Sequence, residues 1–308
     1  MKAALAQTAS IVVIVFAVSS MLSVGLSYDV RRLLSPLRRV RAVFRALVAN
    51  FILVPLLAIA IDRLIPLDPP LALGLCLLAG SAGAPFLVKL AKTARSDLAL
   101  SAALLLLLVP VTVVFLPFYV PLAMQHPSLR GLTYLPASTT ALAVPLLSTM
   151  ILPVVVGLVV NRVAPRASAR VAPLVGKLAT IALLLTVVTT FLANLHEVVR
   201  ILTTGALPAA LILVLGAFGI GFLLSRGDRS VVLGLATSQR NIAAAMVVAS
   251  RSFADPDILV MVTASSLIGL IALFPIAWLL SRREPRVGPP TLPGQPSIRS
   301  GISVTSEC

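Results

Sequence analysis

"GLATSQRNIAAAMVVAS", residues 234–250, is an apolar run of helix length with an arginine near its middle. Thr237, Ser238 and Gln239 precede Arg240, and Asn241 follows it. At the centre of a membrane helix an arginine costs about 2.5–3.5 kcal/mol on insertion scales. Five consecutive polar residues, at about 100° each, sweep more than a full helical turn. A regular helix touching lipid on any side has no face on which to hide them. The stretch therefore predicts a membrane helix that is either wrapped by protein or interrupted at 237–241.

Composition settles what surrounds it. Of 308 residues, 59% are apolar and only 11% charged, with a mean hydropathy of +1.07. Soluble domains carry about 25% charged residues, so one large soluble core is excluded. Apolar stretches of about 20 residues, the length that crosses a bilayer, recur along the chain. Read between charged or proline-rich punctuation they number nine: 8–27, 43–62, 69–88, 98–122, 139–160, 174–194, 202–225, 230–250 and 257–281. The class is an all-α polytopic membrane protein, with 1–283 as its membrane domain. The Pro-, Gly- and Ser-rich tail 284–308 is expected to be disordered. Lys2 before an apolar stretch resembles a signal peptide. Residues 8–27 are long for one, however, and run into a basic loop.

The net charge of +15 follows the membrane, not a nucleic acid. Nineteen of the 25 lysines and arginines fall on alternate loops, at 28–45, 89–95, 162–177 and 226–229 and in the tail. Only Lys2, Arg63, Arg130, Arg200 and Arg251 lie on the other side, and Arg240 stands apart. Cytoplasmic loops collect Lys and Arg. The expectation is a multi-pass plasma (inner) membrane protein, N-terminus outside and C-terminus cytoplasmic. Two cysteines, Cys76 and Cys308, give no disulfide framework and no metal-site spacing. Nothing in the sequence sets the oligomeric state.

The third span holds "LAGSAGAPFLV" (78–88), with Gly80, Gly83 and Pro85 inside six residues. Proline removes a backbone donor and clashes one turn back. The stretch reads either as a kink packed by small residues or as unwound backbone beside a cavity. Spans three and eight are five apart, so they cross in opposite directions. Two interrupted helices at matching places in inverted halves point to the midplane site of a secondary transporter.

Four stretches then resemble the bile acid:sodium symporter family: "MLSVGLSYDVRRLLSPLRRVRAV" (21–43), "ANFILVPLLA" (49–58), "AGSAGAPFLVKLAKTARSDLALS" (79–101) and "ATSQRNIAAAMVVA" (236–249). The resemblance runs to about residue 283. It implies inverted repeats of five helices, a panel domain packed on a core domain, and two crossed broken helices, with the first of ten helices missing. It also implies organic-anion substrates such as bile acids, steroid sulphates, pantoate-like acids or pyruvate, usually driven by sodium.

The departures from that family concern sodium. Ala236 stands at the position of a glutamate that serves both sodium sites, and Arg240 at that of a glutamine; Asn241 is retained. The family's Ser-Asn pair falls on Ala84 and Pro85, and Leu105 replaces a threonine. Ser101 keeps a ligand position, and Asn50 stands where the family has a glutamine. The expectation is therefore no cofactor and no metal, sodium being implied by the resemblance but its ligands largely absent.

For Arg240 two readings stand side by side. It is a structural arginine bonded to crossover carbonyls, or it meets a substrate carboxylate or sulphate through bidentate contact. Gln239, Asn241, Ser238 and Thr237 are read as lining the same substrate site. Asn50, Ser101 and Thr263 join them, with helix–helix hydrogen bonds as the alternative. Lys89, Lys92 and Arg95 are read as solvated anchors, and Asp97 as a helix cap. The functional expectation is a secondary transporter of a small organic anion, with the lipid bilayer as the other partner and no nucleic acid. A non-transporting sensor on the same fold is the alternative. No HExxH, no Asp pair within a span and no Ser/His dyad suggests an enzyme. Phe86 after Ala84-Pro85 stands where the arsenite-efflux family carries a cysteine.

Overall fold

The computed structural model describes residues 2–28, 40–133, 139–193, 204–227 and 229–282. The tail expected to be disordered, and loop residues such as Arg31, Arg38, His196 and Arg200, lie outside them. The described elements are all helices and turns. In chain order they are α1 (Lys2–Ser27), α2 (Val40–Val48, a π turn Ala49–Leu53, then Val54–Leu64), α3 (Pro69–Gly80), α4 (Leu87–Thr93) and α5 (Leu98–Ala123). There follow α6 (Thr139–Leu146, a π turn Leu147–Ile151, then Leu152–Val163), α7 (Pro165–Ala193), α8 (Ala206–Leu223), α9 (Arg229–Ser238), α10 (Ile242–Ser252) and α11 (Pro256–Ser281).

Seven described helices are long and apolar enough to cross a membrane, α9 and α10 being taken as one. The expectation of nine exceeds this by two. Those two correspond to the shorter apolar stretches Ile11–Ser27 and Pro69–Gly80. On α7 the residues Leu174, Leu178, Ile181, Leu184, Leu185 and Val188 are all exposed. In water such a stripe is a large apolar patch; in a bilayer it is the lipid face. Within Arg229–Ser252, 94% of an 18-residue apolar window is buried, so the arginine-bearing helix is both wrapped and interrupted.

One boundary differs from the sequence reading. The basic stretch expected as a loop before residue 174 is helical from Pro165, and Ala164 alone separates α6 from α7. Proline fits the first helical position because its missing N–H has no partner there anyway. Ser168, expected in that loop, is fully buried and donates to Leu26 O at 2.8 Å.

Packing divides the helices into two groups. In the first, α1 lies against α6 and α7. Gly25 and Gly157 permit the closest approach: a Cβ on Gly25 would meet Val154 O at 2.3 Å and Gly157 Cα at 2.9 Å. The second group holds α2, α3, α4, α5, α8, α9 and α11; α10 reaches from it to touch α1 and α6, and α5 also packs against α6.

Both π turns have a proline as their cause. Pro55 and Pro153 lack an N–H and crowd the carbonyl a turn back. The hydrogen bond just before each proline lengthens by one residue: Val54 N–H reaches Ala49 O, and Leu152 N–H reaches Leu147 O. The first of these turns rotates Asn50 into the core, where it is fully buried.

Candidate functional site

The two interruptions meet. α3 stops at Gly80, residues 81–86 are non-helical, and α4 restarts at Leu87. Gly83 has φ +79°, and a Cβ there would lie 2.8 Å from Val109 N, so only glycine fits. On the other segment α9 ends at Ser238 and α10 begins at Ile242. Asn241 joins them: its N–H donates to Ser81 O (2.8 Å) and its Nδ2 to Gly83 O (3.0 Å). Its Oδ1 accepts from Ala244 N (3.2 Å), capping α10. From α5, Thr112 Oγ1 accepts from Ala82 N and donates to Ala82 O, each at 3.0 Å. The polar backbone freed by the break thus finds partners inside the protein, as membrane depth requires. The sequence reading missed Thr112, whose signal is a lone threonine in the middle of an apolar 26-residue helix.

Arg240 is 5% exposed and sits at the centre of this joint. Its Nε donates to Leu78 O (3.1 Å), Nη1 to Asn50 Oδ1 (2.7 Å) and Thr237 O (2.9 Å), and Nη2 to Ala79 O and Asn50 O (3.5 Å). A guanidinium has five N–H donors, and all five are engaged. Leu78 and Ala79 lie in the last turn of α3, Thr237 in the last turn of α9. Both C-termini carry partial negative charge. No acidic side chain pairs with Arg240 among the described residues. Dipoles stand in for the counter-ion.

The other residues read as substrate-binding are buried here and turned to their own backbone. Thr237 donates to Leu233 O, Ser238 to Leu235 O, Ser101 to Leu98 O and Thr263 to Leu259 O. Asn50 Nδ2 donates to Ala46 O at 2.9 Å. Gln239, 7% exposed, is the only one of the five polar residues at 237–241 whose side chain makes no hydrogen bond among the described residues. At the positions where the resemblance implied sodium ligands, Ala84, Leu105 and Ala236 are buried and bring no side-chain oxygen. Asp97 caps α5 as expected, accepting from Leu100 N at 2.9 Å. Asp62 and Asp257, which the sequence reading did not single out, are buried near helix ends away from the joint.

Beside the joint lies a cleft of about 260 Å³ between α1, α7 and the stretch from Pro85 to Lys92. Of the residues named from sequence for the crossover, Pro85 alone lines it. Ser20, Ser23 and Ser27 of α1 face it at helical spacing, with Thr180 of α7 opposite. It runs from Phe16 to Ser27, about 16 Å along α1. Lys89 and Lys92, expected as solvated anchors, are exposed but stand on its wall. Lys89 Nζ lies 4.7 Å from the Phe86 ring centre. Tyr28 packs toward α5 at Ala102 and Ala103, and burial raises its phenol pKa above the ordinary value, which keeps it neutral.

Residues 12–201, well over half of the chain, match the profile of the Sodium Bile acid symporter family. The chain belongs to this family. No curated protein sequence matches it closely enough to count as a relative. The Sodium Bile acid symporter family comprises transporters, not enzymes, so the protein is a multi-pass membrane protein of a transporter family. The matched stretch includes α1, α4 and α7 around the cleft, and Asn50, Gly83 and Thr112. The second interruption, with Arg240, lies beyond it.

Proposed function

We propose that this protein is a secondary transporter of a small organic anion, working by alternating access and without sodium coupling. The observation that carries the reading is the pair of interrupted helices locked together beside a cleft, the arrangement of a midplane transport site. Further support comes from the chain order on either side. Each broken segment is followed by a 26-residue helix whose first turn is capped by an aspartate, Asp97 before α5 and Asp255 before α11. On this reading the two stretches are inverted repeats, the chain crosses the membrane nine times, and the basic end faces the cytoplasm.

The sodium part rests on Arg240. Carbonyl oxygens at half-helix ends are what a transported cation would use, and here they are filled by a side chain. A second cation about 5 Å away is repelled by on the order of 3 kcal/mol at an effective dielectric near 20. Facilitated diffusion or exchange is then the mode. The test is uptake of radiolabelled pyruvate, pantoate and taurocholate into liposomes holding the full chain, with sodium replaced by choline at constant pH. Flux of at least one anion that survives the replacement is the expected result. A several-fold fall on removing sodium overturns the coupling claim, and an anion that binds but never crosses overturns transport.

A further inference from the structure

We infer that Lys89 and Lys92 select the anion in the cleft between α1, α7 and α4, in place of Arg240. The inference rests on the transport reading and assigns that site its charge.

Arg240 has no donor left to give: its five N–H groups are all engaged within the joint, and it does not line the cleft. The hydroxyls that do line it have spent their protons as well. Ser20 donates to Ala17 O (3.0 Å), Ser23 to Ala172 O (3.4 Å), Ser27 to Ser23 O (2.7 Å) and Thr180 to Gly176 O (2.9 Å). A hydroxyl has one hydrogen to donate, so these four present lone pairs to the cleft, and a carboxylate or sulphonate gains nothing from them. What remains for an anion is the two ammonium groups and the Tyr28 phenol. Among the described residues no Asp or Glu lines the cleft to cancel the lysines. They lie three residues apart on α4, hence on one face of the helix. Phe86 holds Lys89 against the wall through its ring face. The rest of the lining, including Phe16, Val24, Val88 and Ala179, suits an apolar body behind the charged head.

Selection by charge can be measured without knowing the substrate. In the full chain with Cys76→Ala and Cys308→Ser, a cysteine is placed in the cleft (Ser23→Cys) or on the exposed start of α7 (Ala169→Cys). The protein is held in phosphatidylcholine nanodiscs. Reaction rates are measured with an anionic sulphonatoethyl and a cationic trimethylammonioethyl methanethiosulphonate. Lys89→Gln with Lys92→Gln should lower the anionic-to-cationic rate ratio at Ser23→Cys roughly tenfold, the size expected of removing two nearby charges from a partly wet cleft. The ratio at Ala169→Cys, which stands beside Arg166 and Arg170, should not change. A ratio at Ser23→Cys that survives the double substitution overturns the inference, as does a Ser23→Cys thiol that neither reagent reaches. If the lysines serve only to hold anionic lipid headgroups, the double variant loses binding to phosphatidylglycerol vesicles while the ratio stays put, which also overturns it. Labelling needs no transport. An anion-selective cleft in a protein that moves no anion would refute the transport reading alone, and sodium-free flux with no selectivity would refute this one alone.

Discussion

Arg240 Nη1 donates to Asn50 Oδ1 across 2.7 Å, joining residues 190 positions apart. This bond ties α2 to the end of α9, and the remaining donors of Arg240 bring in the end of α3. The guanidinium is the pin of a three-helix joint.

Removing the pin leaves five acceptors in a dry pocket. Buried acceptors left unsatisfied cost about 1–3 kcal/mol each, and relaxation recovers part of that. Arg240→Ala should therefore lose about 3–5 kcal/mol and show a clearly lower Tm in detergent. Arg240→Lys should fall between, because an ammonium has three donors where five are needed. Low millimolar guanidinium should raise the Tm of Arg240→Ala and leave the wild type unchanged. A wild-type Tm in Arg240→Ala, together with weakened anion binding, would make this residue a substrate ligand.

Thr112 closes the backbone at Ala82 with one oxygen acting both ways. Thr112→Val keeps the shape and deletes both bonds, so a loss of about 2–4 kcal/mol is expected. Thr112→Ser keeps the hydroxyl and should cost about 1 kcal/mol or less. Equal Tm values for the two variants would show that the hydroxyl contributes nothing.

Two left-handed glycines allow a matched comparison. Gly83 (φ +79°) has Val109 N 2.8 Å from where a Cβ would stand, whereas Gly131 (φ +94°) has nothing within 4 Å. Gly131→Ala therefore pays only conformational strain, about 1–2 kcal/mol. Gly83→Ala adds a backbone collision inside the joint and should be the more damaging by Tm and by expression yield. The reverse order would mean that 81–86 is free to rearrange.

Orientation is open to labelling. In the chain with Cys76→Ala and Cys308→Ser, a membrane-impermeant maleimide applied outside intact cells should modify Gly131→Cys and not Ala169→Cys. Both positions are exposed. Ser168, one residue away, is buried and would mislead. Modification of Ala169→Cys from outside would invert the assignment of the basic end to the cytoplasm.

The interruptions were legible in the sequence because the residues announcing them are side chains: five consecutive polar positions around Arg240, and Gly80, Gly83 and Pro85 together. The destination of the guanidinium was not. Four of its five partners are backbone carbonyls, and carbonyls are the same in every residue. Asn50 was marked as a possible site residue, but not what turns it inward. The signal was Pro55, five residues on, which removes one N–H and shifts the register of a turn. Lys89 and Lys92 were read by depth alone, as anchors at a helix end. Their place on a cleft wall depends on α1 and α7, which no local pattern around α4 encodes.

The joint also sets a timetable for synthesis. Leu78 and Ala79 leave the ribosome some 160 residues before Arg240, the residue that satisfies their carbonyls. At about 5–20 residues per second, that interval lasts about 8–30 seconds. Throughout it the open end of α3 is already made while its permanent partner is not, and those carbonyls depend on water, on the translocation machinery or on transient partners. A nascent chain stalled before residue 229 has two of the three helices of the joint, α2 and α3, and no pin. Quality control acting on such intermediates would meet a half-finished membrane core with its polar backbone still open.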